Sequence, residues 1–360
     1  MNDILSRLNQ KKRSEKRIIQ TECIIRKREK LLHVCLNSVG CRYRKCGSCT
    51  MCDYGQGTNL NSQSIDKVIS QIESAAINVN SILIGTLGSV FDTEEISLHI
   101  LDKICEMLND LPINTIIFET HYTFVSVEIC EWIRKRLPQK DVVIEMGLES
   151  VDLFVQTQCL NKKIDLEMFK NKIQILHEYG FSVTVNAFLG APFLSKMEQI
   201  DDTEKTINWA IKNYIDSVVI FPANIRKNTF LHMLYQVEKY EELSQWSVFE
   251  VLDRIPTDYL NRIYLAWYGD WIDIENDEQN NLPPKACEKC KPIWKKFYHE
   301  FLSCFSSKGR RKILDEYKNR LAEKCDCRKK FKDSLQKSYN EKNRSTSVKK
   351  ILEDLEMLFL

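Results

Sequence analysis

The chain has 360 residues, 14 of them cysteine, and a formal net charge of +2. With 43% hydrophobic and 28% charged residues it is not a disordered chain, and no run of 18 apolar residues predicts a membrane-spanning helix. Met1 to Lys30 lacks the apolar stretch of a secretory leader, so a reducing, cytoplasmic setting is expected. Disulfides do not persist there, which points some of the 14 thiols toward metal.

The small net charge is a cancellation. Residues 285–350 hold 21 Lys and Arg against 8 Asp and Glu; residues 1–284 hold 31 against 39. An acidic body carries a basic C-terminal segment. Such a segment is either a solvated helical face or a phosphate-binding surface for nucleic acid, driven by counterion release.

In chain order, residues 1–30 read as a charged helix with sparse apolar positions. Short apolar, β-rich runs then recur at Leu31–Leu36, Ser81–Leu87, Thr115–Glu119, Val142–Leu148, Ser182–Leu189 and Ser217–Phe221. Near-continuous apolar runs suit parallel strands covered on both faces. Helical periodicity fills the gaps at 65–77, 95–108, 127–137, 166–179 and 202–214. The alternation predicts an α/β fold, a partial (β/α)6 TIM-like barrel over residues 31–230, with its chemistry at the C-terminal strand ends. Residues 231–284 read as a helical, aromatic-rich segment. After Pro283-Pro284 comes a mostly helical, basic, cysteine-containing domain, residues 285–360.

The densest thiol cluster follows the first barrel strand, in Gly40-Cys41-Arg-Tyr-Arg-Lys-Cys46-Gly-Ser-Cys49-Thr-Met-Cys52-Asp-Tyr54. A zinc site could use Cys41, Cys46, Cys49 and Cys52. A ferredoxin-type run could use Cys46, Cys49 and Cys52, but its fourth position is Gln56. A [4Fe–4S] cluster with three protein ligands could use Cys41, Cys49 and Cys52, leaving one iron open.

In that third form, Cys-x7-Cys-x2-Cys, the chain resembles the radical S-adenosylmethionine (radical SAM) superfamily. The long spacing looks like the branch holding the archaeosine-synthase radical SAM subunit and the Elongator catalytic subunit. Cys46 is then surplus. Later loops agree in order. Thr86-Leu87-Gly88-Ser89 resembles the branch's Thr-x-Gly-Ser loop, which implies that Thr86, Gly88 and Ser89 hold the methionyl end of SAM. Glu119-Thr120-His121 stands where the branch has Glu-Ser-Arg-Pro, so His121 departs from it and implies a changed substrate contact. Gly147-Leu148-Glu149 matches the Gly-Leu-Glu signature, with Glu149 on the ribose hydroxyls. Cys159 to Lys163 resembles the branch's Ile-Asn-Lys segment. Asn186 on the fifth strand, Phe221 on the sixth and Tyr54 complete the implied cosubstrate site. Arg226 replaces a glutamine-like position and, with His121, is placed toward substrate. Each loop alone could be ordinary rim polarity; their order across residues 31–230 makes the likeness specific.

A second set, Cys287-x2-Cys290 and Cys325-x-Cys327, spaces four thiols as a zinc or auxiliary Fe–S site. Cys304 lies between the pairs.

The resemblance implies reductive cleavage of SAM at a [4Fe–4S] cluster to a 5′-deoxyadenosyl radical that abstracts hydrogen from the substrate. It also implies a flavodoxin- or ferredoxin-type reductant. The substrate it suggests is a 7-deazaguanine-type base in tRNA, supplied by a partner enzyme and approached through the basic segment. Two alternatives stay open: a radical SAM enzyme acting on a small metabolite or peptide, and a zinc-dependent nucleic-acid-binding protein.

Overall fold

The computed structural model describes residues 5, 23–28, 30–52, 60, 62–227, 229–266, 281–338 and 344–357. Eight strands form the main sheet: β1 (Cys23–Arg28), β2 (Leu31–Leu36), β3 (Ser81–Gly85), β4 (Thr115–Thr120), β5 (Asp141–Glu149), β6 (Ser182–Leu189), β7 (Ser217–Pro222) and β9 (Ile263–Leu265). They lie in the order β1-β2-β3-β4-β5-β6-β7-β9. From β2 to β9 every pairing is parallel; β1 joins β2 antiparallel as an edge hairpin. A two-residue strand β8 (Ile225–Arg226) pairs with β10 (Asn281–Leu282) beside the barrel mouth.

Helices α1 (Ser62–Ala75), α2 (Leu98–Asp110), α3 (Val127–Arg136), α4 (Leu166–Glu178) and α5 (Lys196–Lys212) cover the outer face. The starts of the last four are set by side-chain caps. Ser97, Ser126 and Asp165 each accept a backbone N–H of the first turn, and Ser195 forms a reciprocal capping box with Glu198. Along β4 the burial alternates, with Ile116, Phe118 and Thr120 buried under helices and Ile117 and Glu119 facing the half-open lumen. The two faces therefore differ: outward positions build the core, and inward positions are free to carry polar chemistry.

Two expectations need correction. The helix predicted across residues 1–30 gives way at Cys23–Arg28 to β1, whose Arg26, Lys27 and Arg28 suit an exposed edge strand; of residues 1–22 only Leu5 is described. The barrel has seven parallel strands where six were expected, because β9 falls inside the segment read as helical. Helices α6 (Phe230–Gln236) and α7 (Gln245–Arg254) do occupy that segment, while residues 267–280, with Trp267 and Trp271, lie outside the described residues.

Beyond β10 the chain is helical: α8 (Lys291–Ser303), α9 (Ser307–Lys324), α10 (Cys327–Ser338) and α11 (Arg344–Met357). Trp294, Phe297, Tyr298, Phe301 and Tyr317 pack into one core continuous with α7 and the barrel. Arg310 stitches this region to the sheet. It is 1% exposed, donates to the carbonyls of Leu260 (2.7 Å), Ile263 and Cys304 (2.6 Å), and lies 4.8 Å over the Phe301 ring. Those three carbonyls replace the water an arginine loses on burial. No helix among the described residues is long and apolar enough to cross a membrane.

Candidate active site

The cysteine loop, residues 37–52, leaves β2 at its C-terminal end and is clamped from three sides. Arg42 forms a forked ion pair with buried Asp92, its Nε donating to Oδ2 at 2.6 Å, and lies 4.9 Å over the Phe124 ring. Asn161 donates to Ser48 O (2.9 Å), Thr50 donates through Oγ1 to Cys159 O (2.8 Å), and Tyr43 donates to Asn161 O (2.6 Å). Leu231 N donates to Thr50 O (3.1 Å) from the first turn of α6. A loop held this way keeps its thiols in fixed positions.

The loop brings Cys41, Cys49 and Cys52 together. The Cys49 thiol, buried against ionisation, sits within electrostatic reach of Lys162, Cys52, Cys41 and Glu149. Cys46 ends the short helical turn Arg42–Cys46; its side chain is outside the described set.

Gly88 is what lets the loops meet. A Cβ there would stand 2.6 Å from the Cys41 Cα and 2.0 Å from Glu95 Oε1. The sequence suggested that Gly88 admits a ligand; its neighbours are instead the cysteine loop and Glu95. Glu95 itself was missed. Its carboxylate accepts from Ser38 Oγ (3.0 Å), Thr86 Oγ1 (3.2 Å) and Ser89 N (3.0 Å), and burial pushes its pKa up to about 7. Thr86 also accepts from Gly88 N (3.1 Å). The Ser89 hydroxyl bonds Thr120 (2.6 Å) and accepts from His121 N (3.1 Å). Thr86 and Ser89 therefore hold loops together within the protein.

Glu149 ends β5 with a left-handed φ of 62°, after a register shift between Gly147 and Glu149. Strain of this sort, about 1–3 kcal/mol, persists where a side chain must be aimed. The carboxylate is aimed at Lys162, whose Nζ lies 2.9 Å from Glu149 Oε1 and 3.1 Å from Gly147 O. Burial works against the Lys162 charge, but Glu149 and the nearby thiols outweigh it and hold the ammonium protonated. Lys162 was legible only as part of the Asn-Lys segment; thirteen residues separate it from Glu149.

His121 caps the turn Tyr122–Phe124, with Nδ1 accepting from Thr123 N (3.4 Å). Burial first, and Lys162 second, lower its pKa to about 3, which favours the neutral imidazole. Asn186 lies on the lumen side of β6, opposite Gly147. Phe221 is half-buried on β7, and Arg226 lies in β8. Tyr54 lies outside the described residues. Sequence reasoning also missed Asn224, just past β7, whose amide nitrogen and oxygen are both buried without a hydrogen-bond partner.

These features fit the groups that the sequence implied. The donor set suits a three-thiolate cluster, and the unmet amide of Asn224 at the mouth suits a nucleoside edge, since an asparagine amide can pair with adenine.

Outside the barrel, Cys287, Cys290, Cys325 and Cys327 gather so that all four sulfurs lie within 4.8 Å of one another and can hold a metal ion. The Sγ separations are 3.5 Å (Cys287–Cys325), 3.2 Å (Cys290–Cys325) and 3.7 Å (Cys290–Cys327). They are far too long for a disulfide and close to the spacing around one tetrahedral ion. Trp246 Nε1 donates to Cys327 Sγ at 3.3 Å, and Cys327 N donates to Cys325 Sγ at 3.5 Å. Cys304 points elsewhere, toward Ser306 O.

An open parallel half-barrel with a three-thiol loop at its mouth and a separate four-thiol centre is thus the class of structure at hand. Comparison gives it particular relatives. The chain is 28% identical over 229 residues to archaeosine synthase subunit beta of Methanosarcina acetivorans, covering 62% of this chain and 66% of that protein. It is 25% identical over 229 residues to the subunit of the same name from Thermococcus kodakarensis, covering 61% of this chain and 70% of that one. The chain thus spans just under two thirds of the Methanosarcina protein. Among solved structures, Methanocaldococcus infernus Elp3 matches with a TM-score of 0.46 at 15% identity, covering 66% of this chain and 58% of that one. Methylornithine synthase matches with a TM-score of 0.47 at 13% identity, covering 74% and 78%. No protein-family model matches. The chain is similar to the archaeosine-synthase branch to which its motifs pointed.

Proposed function

We propose that this chain is a radical SAM enzyme. The carrying observation is the neighbouring trio Cys41, Cys49 and Cys52 at the C-terminal mouth of a parallel half-barrel. When bound, a [4Fe–4S] cluster and SAM would supply one-electron cleavage to a 5′-deoxyadenosyl radical.

The chain's own residues do the rest. Cys41, Cys49 and Cys52 would hold the cluster. Lys162, fixed by Glu149, offers positive charge to the thiolates of Cys41 and Cys49. Glu149, aimed into the mouth by its strained backbone, is placed for ribose hydroxyls, and the Asn224 amide for the adenine edge. Gly88 and Glu95 keep the cysteine loop seated on the barrel.

For the substrate we favour a 7-deazaguanine-type base in tRNA. Support comes from the name of the curated relatives and from the basic 285–350 segment. A partner enzyme would supply the modified base, and a flavodoxin- or ferredoxin-type protein the electron. For the second centre we favour zinc, on the single-ion sulfur spacing.

Anaerobic reconstitution tests the first reading. The expected product is a brown protein with about four irons bound at the trio, lost in Cys49→Ala, and one zinc retained. A colourless protein with zinc at both centres would refute it. Filter binding of tRNA tests the substrate: affinity should fall steeply with salt, and no retention at low salt refutes it.

A further inference from the structure

The four-thiol centre gathers more than sulfur. Cys287 and Cys290 sit in residues 285–291, and Cys325 and Cys327 in residues 324–332; together these two stretches hold eight Lys and Arg against two Asp and Glu. Because the four sulfurs lie within 4.8 Å of one another, cations from distant parts of the chain meet at one place. Lys289, Lys324 and Lys329 are exposed and make no ion pair among the described residues. Lys330 shares Asp326 (3.1 Å) and Lys285 shares Glu242 (3.8 Å). Further back on α9, by contrast, Arg311 and Lys318 are both paired with Asp253.

This cluster stands at the mouth end of the barrel. The Tyr240 hydroxyl donates to Gly190 O (2.6 Å), just past the end of β6. A few residues on, Lys285 N donates to Leu243 O (2.6 Å) and Gln245 N to Lys285 O (3.0 Å). Trp246 then opens α7 against Cys327, with the Arg328 guanidinium 5.5 Å from its ring. From the other side, β10 pairs with β8, which exposed Lys227 follows. Only five residues, at most about 18 Å of chain, separate Leu282 in β10 from Cys287.

We propose that the cations gathered around the four-thiol centre dock the phosphate backbone of an RNA whose base enters the mouth. This deepens the tRNA reading and rests on it for calling that RNA the substrate.

The chemistry selects a polyanion. Exposed ammonium groups in salt hold a lone anion weakly, whereas a backbone with a charge at every nucleotide engages several at once and releases counterions from each. Lysine meets phosphate as a point charge and needs no fixed fork geometry. Under the tRNA reading one polymer accounts for both ends of the track, the base at the mouth and the phosphates at the lysines.

The test measures tRNA retention by the full chain across a salt series. Lys289→Gln/Lys329→Gln takes one cation from each cysteine pair and should lower the slope of log affinity against log salt by about 2, about one for each lost phosphate contact. Lys308→Gln/Lys312→Gln removes as much charge from the same basic segment, but about 18–24 Å from Lys324 along α9, and should leave the slope unchanged. Bound metal and melting temperature should match wild type in both variants. Equal loss in the two variants, or none in the first, overturns the proposal and leaves the tRNA reading standing. Poly-L-glutamate bound as tightly as tRNA, through the same lysines, overturns the choice of RNA in favour of an acidic protein. A wild-type chain that retains no tRNA at low salt overturns both.

Discussion

Lys162→Met removes the cation paired with Glu149 among the described residues, and its cost follows from the geometry. The two side chains are 14% and 13% exposed, 2.9 Å apart, and Lys162 also donates to Gly147 O. Breaking a buried pair from one side costs about 3–5 kcal/mol, because the remaining charge is left desolvated. The residual exposure and the open mouth place this pair at the lower end, about 3 kcal/mol. Replacing both partners, in Glu149→Gln/Lys162→Met, removes the stranded charge and should recover about 2 kcal/mol of that loss. Urea unfolding of the metal-free chain near pH 7.5 measures each variant as a shift in midpoint at constant slope. A single variant that loses less than about 1 kcal/mol, or a double variant no more stable than the single, would show that the pair is solvated and the reasoning wrong.

Other expectations follow from the same site. Gly88→Ala forces a methyl against the Cys41 backbone; it should destabilise by about 1–3 kcal/mol and lower iron uptake at the trio, as metal analysis would reveal. Glu95 has a folded pKa of about 7 against an ordinary 4.5, so the folded chain holds a proton there that the unfolded chain releases. Stability from this group is full below pH 4.5 and is lost as pH rises through 7. Glu95→Gln should therefore flatten the fall in stability across that window by up to about 1.4 kcal/mol per pH unit; an unchanged slope in pH-dependent unfolding would contradict it. Cys290→Ser should abolish metal at the C-terminal centre and lower the melting temperature, while a chain that still binds one zinc there would exclude Cys290 as a ligand.

Six of the parallel strands were legible because helices and lumen residues cover both faces, which leaves long apolar runs such as Ser182–Leu189. The strand β9 was not, because three residues carry no period and the middle one, Tyr264, is exposed. The hairpin strand β1 was hidden by Arg26, Lys27 and Arg28, the charges that suit an unpaired edge but read as a helix surface. Local spacing revealed the four thiols that gather outside the barrel. Partners fixed by tertiary register were invisible: Glu119 faces Glu145 only because β4 and β5 align, and Lys162 reaches Glu149 only through the bend that ends β5. The sequence singled out Gly88 but not its contacts with Cys41 and Glu95, since sequence does not say which chain segments a glycine approaches.

Radical chemistry on SAM at the mouth cysteines leaves a product that can be counted. The most direct measurement is 5′-deoxyadenosine formed by the anaerobically reconstituted chain with SAM and dithionite. The wild-type chain should release it, and Cys49→Ser should release none above the protein-free background. A wild-type chain that carries no iron at the mouth and leaves SAM intact would not be a radical SAM enzyme.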